Sequence, residues 1–303
     1  MHTLPAVACV KHHWPQARVS WVVNPEWTPL LQGNPYVADV IEFPRQRFRG
    51  VFGWTRFPQW VRALRERVQP DLALDFQGLF RSALIGRWSG GQVWGTSDAR
   101  EGARFLHHRV VQVPRRFAPV HAVTRMMKLV EALGCPVPEK LEWPLPGGAA
   151  PRAELPRDYV LLHPFSRGSG KSLRPNEVTA FCRTLAPRPV VVVGRSDVRL
   201  GKQENVTNLL NATSLPELCW LIRHAAFTVS VDSGPMHIAS ALTERLLAIH
   251  TWTEPRRVGP FQPNAWIWKD GRIRKMNSLP PGDHCSRPNI GTWVAAQLQP
   301  AAK

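Results

Sequence analysis

The chain has 303 residues, 44% of them hydrophobic and 20% charged, a balance typical of a folded protein with a sizeable core. Its 39 basic and 22 acidic residues give a net charge of +17, which favours an acidic partner such as nucleic acid, an anionic membrane or a phosphorylated ligand. Apolar runs stay short of the roughly 18 residues of a membrane span, and the chain opens without a signal-peptide pattern, so we expect a cytoplasmic protein.

The distribution of charge and cysteine narrows the possible partners. Basic residues are spread along the chain without a Lys/Arg block or a recognisable nucleic-acid motif, so we expect no nucleic-acid partner. An anionic lipid surface or a nucleotide ligand ranks above it. The five cysteines are scattered and form no CxxC pair or Cys/His cluster, which indicates reduced, packed side chains rather than a disulfide framework or a metal site.

Predicted strands and helices alternate through the first half of the chain. Predicted strands cover residues 18–24, 37–43, 72–75 and 92–95, and predicted helices cover 60–68, 79–88 and 120–133. Another helix is expected to start near Met1, and a basic, glycine-containing stretch over residues 45–53 precedes the helix at residue 60. This alternation predicts parallel βαβ units.

A change of composition separates the two halves. Residues 134–157 hold six prolines and three glycines, so they cannot form a long regular element. We predict a linker over residues 146–157 between a domain of residues 1–145 and a domain of residues 158–303.

The second half repeats the same alternation. Predicted strands cover residues 159–162, 190–193, 227–231 and 246–250, and predicted helices cover 174–185, 215–224 and 236–242. Beyond residue 251 we expect mainly loops and a last helix over 292–299. The sequence therefore predicts an α/β protein with two Rossmann-like domains facing a cleft, where ligands bind at the carboxyl ends of the strands.

The most informative stretch is AFTVSVDSGPMHIASAL at residues 226–242. An apolar strand runs into Asp232 and Ser233, either of which can cap the helix that follows, and His237 falls in that helix's first turn. A strand, a glycine turn and a helix N-terminus together form a potential anion site, because free backbone N–H groups point at one spot. The same pattern is also that of an ordinary βα turn with a packed histidine.

Two further segments end predicted strands of the second half. Residues 163–172, HPFSRGSGKS, offer the glycines, hydroxyls and cations that phosphate binding requires, although the spacing is not that of a Walker A loop and a solvated basic loop has the same composition. Asp197 lies in the second segment, where it is placed to accept sugar hydroxyls or simply to form a turn. Together, the three strand ends favour a nucleotide diphosphate pocket.

Polar residues also follow two strands of the first half. Gln77 and Arg81 come after one strand, and Arg100 follows the next in the sequence SDAREG. These side chains suit an acidic acceptor, and capping or surface ion pairing is the alternative. Neither Asp-x-Asp nor Gly-x-Ser-x-Gly occurs, so we expect no metal held by a paired Asp motif and no Ser/His/Asp triad.

VSVDSGPMHIASAL resembles the D-[ST]-G-x-x-H-x-A-[AS]-A-L signature of glycosyltransferase family 9, the ADP-heptose:lipopolysaccharide heptosyltransferases. The resemblance extends in order to LDFQGLFRSALIGR, SDAREGARF, HAVTRMMKLVEALG, HPFSRGSGKSL and NATSLPELCWLI, nearly the whole chain. It implies a GT-B fold with the acceptor in the N-terminal domain and the donor in the C-terminal one. The implied reaction is inverting, metal-independent transfer of heptose from ADP-heptose to the lipopolysaccharide inner core or a lipid A-Kdo acceptor.

The resemblance also implies roles for individual residues. The diphosphate and donor sugar would contact Asp232, Ser233, Gly234 and His237, and the first phosphate loop would use Phe165, Ser166 and Lys171. Asp197 lies beside the position where the family often has a ribose-binding Glu, and the acceptor side would comprise Gln77, Arg81 and Arg100. No metal or cofactor beyond the donor is implied, and the net charge fits a cytoplasmic enzyme peripheral to the anionic inner membrane.

One departure concerns the start of the chain. Family members carry a strand and a Ser-Leu-Gly-Asp loop before His-Thr-Leu-Pro-Ala, whereas Met1 directly precedes His2 here. We therefore expect an N-terminal domain without its first strand and a chain without the family's general-base Asp, so no catalytic residue is assigned and activity is expected to be impaired. Either a truncated start or an inactive descendant explains this. The alternative functions are a non-catalytic nucleotide-sugar or acidic-glycan binding protein, and a GT-B-type epimerase.

Overall fold

A computed structural model describes residues 1–115, 117–278 and 282–299. The chain divides into two compact units: His2–Pro144 form the N-terminal unit, and Met1 with the residues from Leu145 onward forms the C-terminal unit. Each unit contains both strands and helices. Within the described residues, none of the helices has both the length and the apolar character needed to span a membrane.

The strands of the N-terminal unit fall into two separate parallel sheets. They are β1 (Ser20–Val23), β2 (Asp39–Glu42), β3 (Leu72–Asp75), β4 (Gln92–Thr96) and β5 (Arg109–Val111). The first two strands pair with each other, and the other three form a sheet in the order β3-β4-β5. The predicted strands are confirmed to within two residues at each end, and β5 was not predicted.

Four α-helices accompany these strands in the described part of the N-terminal unit. They are α1 (Leu4–His13), α2 (Gly50–Val68), α3 (Phe80–Ser89) and α4 (Ala122–Ala132). The predicted start of α2 near residue 60 is wrong by ten residues. Gly53, Phe57 and Val61 are all buried at helical spacing, and a side chain on Gly53 would collide with the Phe48 backbone, so packing makes the glycine-containing stretch helical.

The C-terminal unit contains one continuous sheet of eight strands. They are β6 (Val160–His163), β7 (Val190–Gly194), β8 (Val206–Leu210), β9 (Phe227–Val231), β10 (Leu246–His250), β11 (Trp266–Lys269), β12 (Arg272–Lys275) and β13 (Asp283–His284). Their order is β13-β12-β11-β10-β9-β6-β7-β8, parallel except for the β11-β12 and β12-β13 pairs. The accompanying helices are α5 (Pro175–Leu185), α6 (Leu215–His224), α7 (Gly234–Leu242), α8 (Pro255–Val258) and α9 (Ile290–Gln297).

The expectation of mainly loops beyond residue 251 is wrong, because β11, β12 and β13 all lie there. The β11-β12 hairpin turns at Asp270 and Gly271, which both adopt positive φ angles, 50° and 76°. An Asp-Gly turn of this kind between two apolar-containing runs is a strong local signal for a hairpin. The strands that precede it in the unit, and its main helices, were predicted correctly except for β8.

The strand order places a topological switch between β6 and β9. The chain progresses from β6 through β7 to β8 in one direction across the sheet, whereas it progresses from β9 through β10 to β11 in the other. In open parallel sheets, ligands bind in the crevice outside the carboxyl ends of the strands at such a point. The loops that follow β6 and β9 are the two that carry the main sequence motifs.

Candidate active site

Two side chains from the loops at the switch point meet in an ion pair. Lys171, from the loop after β6, places its Nζ 2.6 Å from Oδ2 of Asp232, which follows β9. The Lys171 and Asp232 side chains are only 18% and 6% exposed. Ser166 joins them through its hydroxyl, which donates to the Asp232 carbonyl oxygen at 3.5 Å. The structure thus brings together residues that lie more than 60 positions apart in the sequence.

The prediction that Asp232 or Ser233 caps α7 is not borne out by the described structure. Ser233 is the N-cap residue, but its hydroxyl donates back to the Val231 carbonyl at 3.0 Å and makes no side-chain cap bond. Asp232 is engaged by Lys171 instead. The first turn of α7 therefore offers backbone N–H groups that its N-cap side chain does not satisfy, an arrangement suited to an anion.

Sequence reasoning missed two residues behind this pair. Thr253 donates from Oγ1 to Asp232 Oδ2 at 2.8 Å, and His250 Nδ1 lies 2.9 Å from the same hydroxyl. His250 is the last residue of the otherwise apolar strand β10, and Thr253 lies shortly after it in the chain. His163 at the end of β6 is similarly buried, with Nδ1 3.3 Å from Ser233 Oγ. Buried polar residues at adjacent strand ends were the available signal.

At neutral pH Asp232 is ionised, and the buried rings of His163 and His250 are neutral. Burial alone would raise the pKa of Asp232, but hydrogen bonds from Lys171 and Thr253 hold that pKa below its usual range. Burial lowers the pKa of His163 to about 4, and it lowers the pKa of His250 to about 4 as well. Lys171 is the cation that pairs with this carboxylate.

The other predicted donor-side residues are placed less uniformly. Gly234 opens α7 and is exposed, and His237 is partly exposed in the same turn. The Phe165 side chain is 5% exposed and packs in the hydrophobic core, so only its backbone is placed to face a ligand. Asp197 is exposed on the segment after β7 and is not one of the side chains bonded to the Lys171–Asp232 pair.

In the N-terminal unit, Gln77 and Arg100 line one cavity of about 160 Å³. The Arg100 backbone N–H donates to the Gly78 carbonyl at 2.7 Å, which ties the two predicted segments together. The same cavity is lined by Asp98 and Arg125, whose side chains form a 2.7 Å ion pair. Two of the three predicted acceptor-side residues therefore share a cavity.

A larger cavity of about 370 Å³ adjoins the first through the shared residues Asp98 and Arg100. Arg115 and Phe117 contribute to its lining, and neither was predicted. Arg81, the third predicted residue, instead places its guanidinium carbon 5.8 Å from the Phe43 ring centroid and is not among the residues lining either cavity.

The loop that carries Gln77 is held by a buried pair of side chains, Asp75 and His107. His107 Nε2 lies 3.0 Å from Asp75 Oδ2, and the two side chains are 0% and 3% exposed. The other Asp75 oxygen accepts the backbone N–H groups of Gln77 at 3.1 Å and Gly78 at 2.9 Å. His107 gave no recognisable signal in the sequence.

No group of three or more His, Cys, Asp or Glu side chains arranged for a metal ion occurs in residues 1–115, 117–278 and 282–299.

The sequence model of glycosyltransferase family 9 (heptosyltransferase) matches residues 59–279, well over half of the chain. The chain belongs to glycosyltransferase family 9. It is thus a glycosyltransferase of the heptosyltransferase family, as the sequence motifs indicated.

Several curated heptosyltransferases are similar to this chain over most of their length. The lipopolysaccharide core heptosyltransferase OpsX of Haemophilus influenzae is 23% identical over 291 residues, covering 86% of this chain and 78% of the relative. Lipopolysaccharide heptosyltransferase 1 of Pseudomonas aeruginosa is 28% identical, with coverage of 86% and 78%. Its namesake from Escherichia coli K12 is 25% identical, with coverage of 91% and 92%.

Solved heptosyltransferase structures share the fold. The E. coli heptosyltransferase WaaC with ADP matches with a TM-score of 0.75 at 22% identity, over 98% of this chain and 95% of WaaC. The E. coli ADP-heptose lps heptosyltransferase II matches with a TM-score of 0.74 at 21% identity, over 98% and 94%. These matches confirm the predicted α/β, GT-B-type fold.

Proposed function

We propose that this family 9 enzyme transfers heptose from ADP-heptose to the lipopolysaccharide inner core or a lipid A-Kdo acceptor, with inversion and without a metal. The observation that carries the proposal is the Lys171–Asp232 pair beside the N-terminus of α7, at the switch point of the sheet. A fixed cation and oriented N–H groups stabilise the negative charge that develops on a leaving diphosphate. In this proposal the enzyme needs no cofactor besides its donor substrate, ADP-heptose.

The remaining donor-side residues take roles around the diphosphate. Ser166 and Ser233 offer hydroxyls beside Asp232 and His163, respectively. Gly234 and His237 lie in the first turn of α7, and we assign the Gly234 backbone and the His237 ring to the phosphate or sugar of the donor. Phe165 shapes the loop from the core, and Asp197 remains our candidate for the ribose hydroxyls.

On the acceptor side, we propose that the joined cavities of the N-terminal unit bind acidic sugar or phosphate. Arg100 and Arg115 line the larger cavity, and Gln77 lines the smaller one. Guanidinium groups bind carboxylates and phosphates through paired hydrogen bonds. Arg81 belongs to the same proposed acceptor side through its position in the first turn of α3, shortly after the loop that carries Gln77.

Peripheral contact with the anionic inner membrane from the cytoplasmic side completes the proposal. The net charge of +17 supports it, and so does one segment of the N-terminal unit. Arg45, Arg47, Arg49 and Arg56 are exposed there around Phe52, which is 87% exposed. Basic side chains near an anionic leaflet contribute about 1 kcal/mol each, and exposed aromatic rings suit the lipid interface.

The donor site is tested by titrating ADP into the protein by calorimetry. We expect Lys171→Met and Asp232→Asn to weaken ADP binding by about 1–3 kcal/mol, since each loses a hydrogen bond to a charged group. Lys140→Met removes one exposed charge from the N-terminal unit and serves as the control. Equal affinity in all four proteins would refute the donor-site assignment.

Transfer itself is tested by following ADP release from ADP-heptose with an inner-core acceptor, with and without a chelator. Release that depends on the acceptor and survives chelation, with an inverted anomer by NMR, is the expected result. Donor consumption without acceptor would indicate an epimerase, and ADP binding without turnover would favour a binding protein.

Membrane contact is tested by co-sedimentation with vesicles of phosphatidylcholine alone or mixed with phosphatidylglycerol. We expect binding only to the anionic vesicles and its loss in high salt, because exposed charges are screened. Phe52→Ala should weaken binding, whereas Phe105→Ala removes another exposed ring, 78% accessible, as a control. Equal loss in both variants would contradict the assigned surface.

A further inference from the structure

The hydrogen atoms behind Lys171 can be assigned from the chemistry of the groups. Thr253 has a single hydroxyl hydrogen, and its oxygen lies within hydrogen-bonding distance of both Asp232 Oδ2 and His250 Nδ1, at 2.8 and 2.9 Å. An ionised carboxylate only accepts, so the hydroxyl hydrogen must point to Asp232. The contact with His250 then requires a hydrogen on Nδ1, which fixes the tautomer of the ring.

The buried position of His250 supports this assignment. The residue is 0% exposed, and burial lowers its pKa to about 4, so the ring is neutral at pH 7 with one hydrogen. Its Nε2 atom has no hydrogen-bond partner among the described residues. A buried polar atom without a partner is destabilising. The contact with Thr253 is therefore the one that satisfies a nitrogen of this buried ring.

Lys171 is also held on a second side by the segment that carries Thr253. Its Nζ lies 4.8 Å from the centroid of the Trp252 ring, a cation–π distance. The segment is anchored where Lys269 Nζ donates to the Thr251 carbonyl oxygen at 2.8 Å. The ammonium group thus contacts both a carboxylate and an aromatic ring, and these two contacts limit its freedom of direction.

We propose that Thr253 is a positioning residue for the donor diphosphate, which acts through Asp232 on Lys171, and that His250 sets the direction of the Thr253 hydroxyl. The inference rests on the proposed function, in which Lys171 faces the diphosphate. Thr253 and Lys171 share the same carboxylate oxygen. The hydroxyl therefore fixes the direction of the carboxylate, and the carboxylate in turn fixes the direction of the ammonium group.

Substitutions of Thr253 and Thr251, which lie in one short segment, test the proposal. Thr253→Val keeps the shape of the side chain but removes both hydrogen bonds, and Thr253→Ser keeps them. Thr251→Val is the matched control, because the Thr251 hydroxyl is buried without a hydrogen-bond partner among the described residues. Thr253→Ala is the second variant should valine disturb folding, which thermal unfolding reports.

The expected result is a loss of ADP affinity of about tenfold in Thr253→Val, the scale of one hydrogen bond to a charged group. Thr253→Ser and Thr251→Val should bind ADP like the unaltered protein. In a Lys171→Met background, Thr253→Val should have no further effect, because its influence passes through Lys171. An equal loss from Thr253→Val with and without Lys171 would overturn the proposal.

A second measurement does not depend on the ligand. Long-range ¹⁵N–¹H correlation spectra of the histidines should show His250 with its hydrogen on Nδ1 at pH 7, in the unaltered protein and in Thr253→Ser. A hydrogen on Nε2 would overturn the proposal even if ADP binds as expected. Failure of the unaltered protein to bind ADP would instead refute the proposed function, while these spectra still decide the Thr253–His250 bond.

Discussion

The strands of the two units differ in how deeply they are buried. Every residue of β6, β9 and β10 in the C-terminal unit is buried, within one continuous sheet. Every residue of β1 in the N-terminal unit is only half-buried, as are three of the four residues of β3, and the strands there form two separate sheets. Parallel strands are normally covered on both faces, so the C-terminal unit is the more conventional of the two.

This difference separates two ways of fixing a site. The proposed donor site lies at the ends of strands that cannot move without disturbing a large core, so Asp232, His163 and His250 are held at or next to the sheet itself. The acceptor-side loop depends on a local device, the buried Asp75–His107 pair that binds the Gln77 and Gly78 backbone. The site in the C-terminal unit is thus held by a whole packed sheet, whereas the loop in the N-terminal unit is held by a single pair of side chains.

The largest expected effect is a loss of stability of the C-terminal unit in acid. His163 and His250 have pKa values lowered to about 4 by burial, against about 6.5 in an unfolded chain. Below pH 6.5 the unfolded state therefore binds protons that the folded state does not bind until about pH 4. Stability is fully present above pH 6.5 and falls as the pH drops toward 4, by about 3 kcal/mol for each histidine.

We expect hydrogen exchange, corrected for intrinsic rates, to show this loss in β9 and β10. His163→Asn and His250→Asn should each remove about half of the pH dependence. The same protection in these strands at pH 4.5 and pH 7 would break the comparison, because it would mean that the buried rings do not oppose protonation.

The next effect compares equivalent leucines in the two units. Leu162 and Leu74 each occupy the third position of a four-residue strand, β6 and β3. Leu162 is 0% exposed, so its truncation to alanine should cost about 3–5 kcal/mol of unfolding free energy. Leu74 is half-buried, and Leu74→Ala should cost less than half as much. Urea unfolding with exchange readouts in each unit checks this, and equal costs would contradict the contrast.

The sequence was most informative where function is encoded locally. The strand, turn and helix around Asp232 were predicted because β-branched residues, a glycine-proline turn and a run of small residues follow one another there. The Asp270–Gly271 hairpin carried an equally clear signal that the prediction of a loop-rich end overlooked. Both depend on backbone preferences that neighbouring residues impose.

Long-range partners were beyond such reasoning. The bond from Thr253 to Asp232 joins two strand ends that become neighbours only through the sheet order, and α2 starts early because Gly53 fits against Phe48. Phe165 illustrates the converse, since a motif residue expected at the ligand turns its side chain into the core. Tertiary packing, not local propensity, decides these three cases.

A smaller effect tests the local device of the N-terminal unit. A side-chain carbon on Gly95 would lie 2.0 Å from the His107 ring, so Gly95→Ala must displace the histidine from Asp75. We expect a cost of about 1–3 kcal/mol and a higher KM for the acceptor, because the Gln77 loop loses its support. Gly86→Ala, at a buried helical site beside Val93, is the control. Unchanged acceptor KM in Gly95→Ala would show that the pair does not position the loop.

The smallest effect separates the two substrates kinetically. Arg100 is exposed at the junction of the two cavities, so Arg100→Ala should raise the acceptor KM about tenfold, an exposed cation contributing less than a buried one. The KM for ADP-heptose should stay unchanged, because the donor contacts belong to the C-terminal unit. Arg104→Ala, whose guanidinium lies over the Phe105 ring, controls for loss of one exposed charge in the same segment. A rise in both KM values would mean that Arg100 serves the whole protein rather than the acceptor side, and the division of labour between the units would fail.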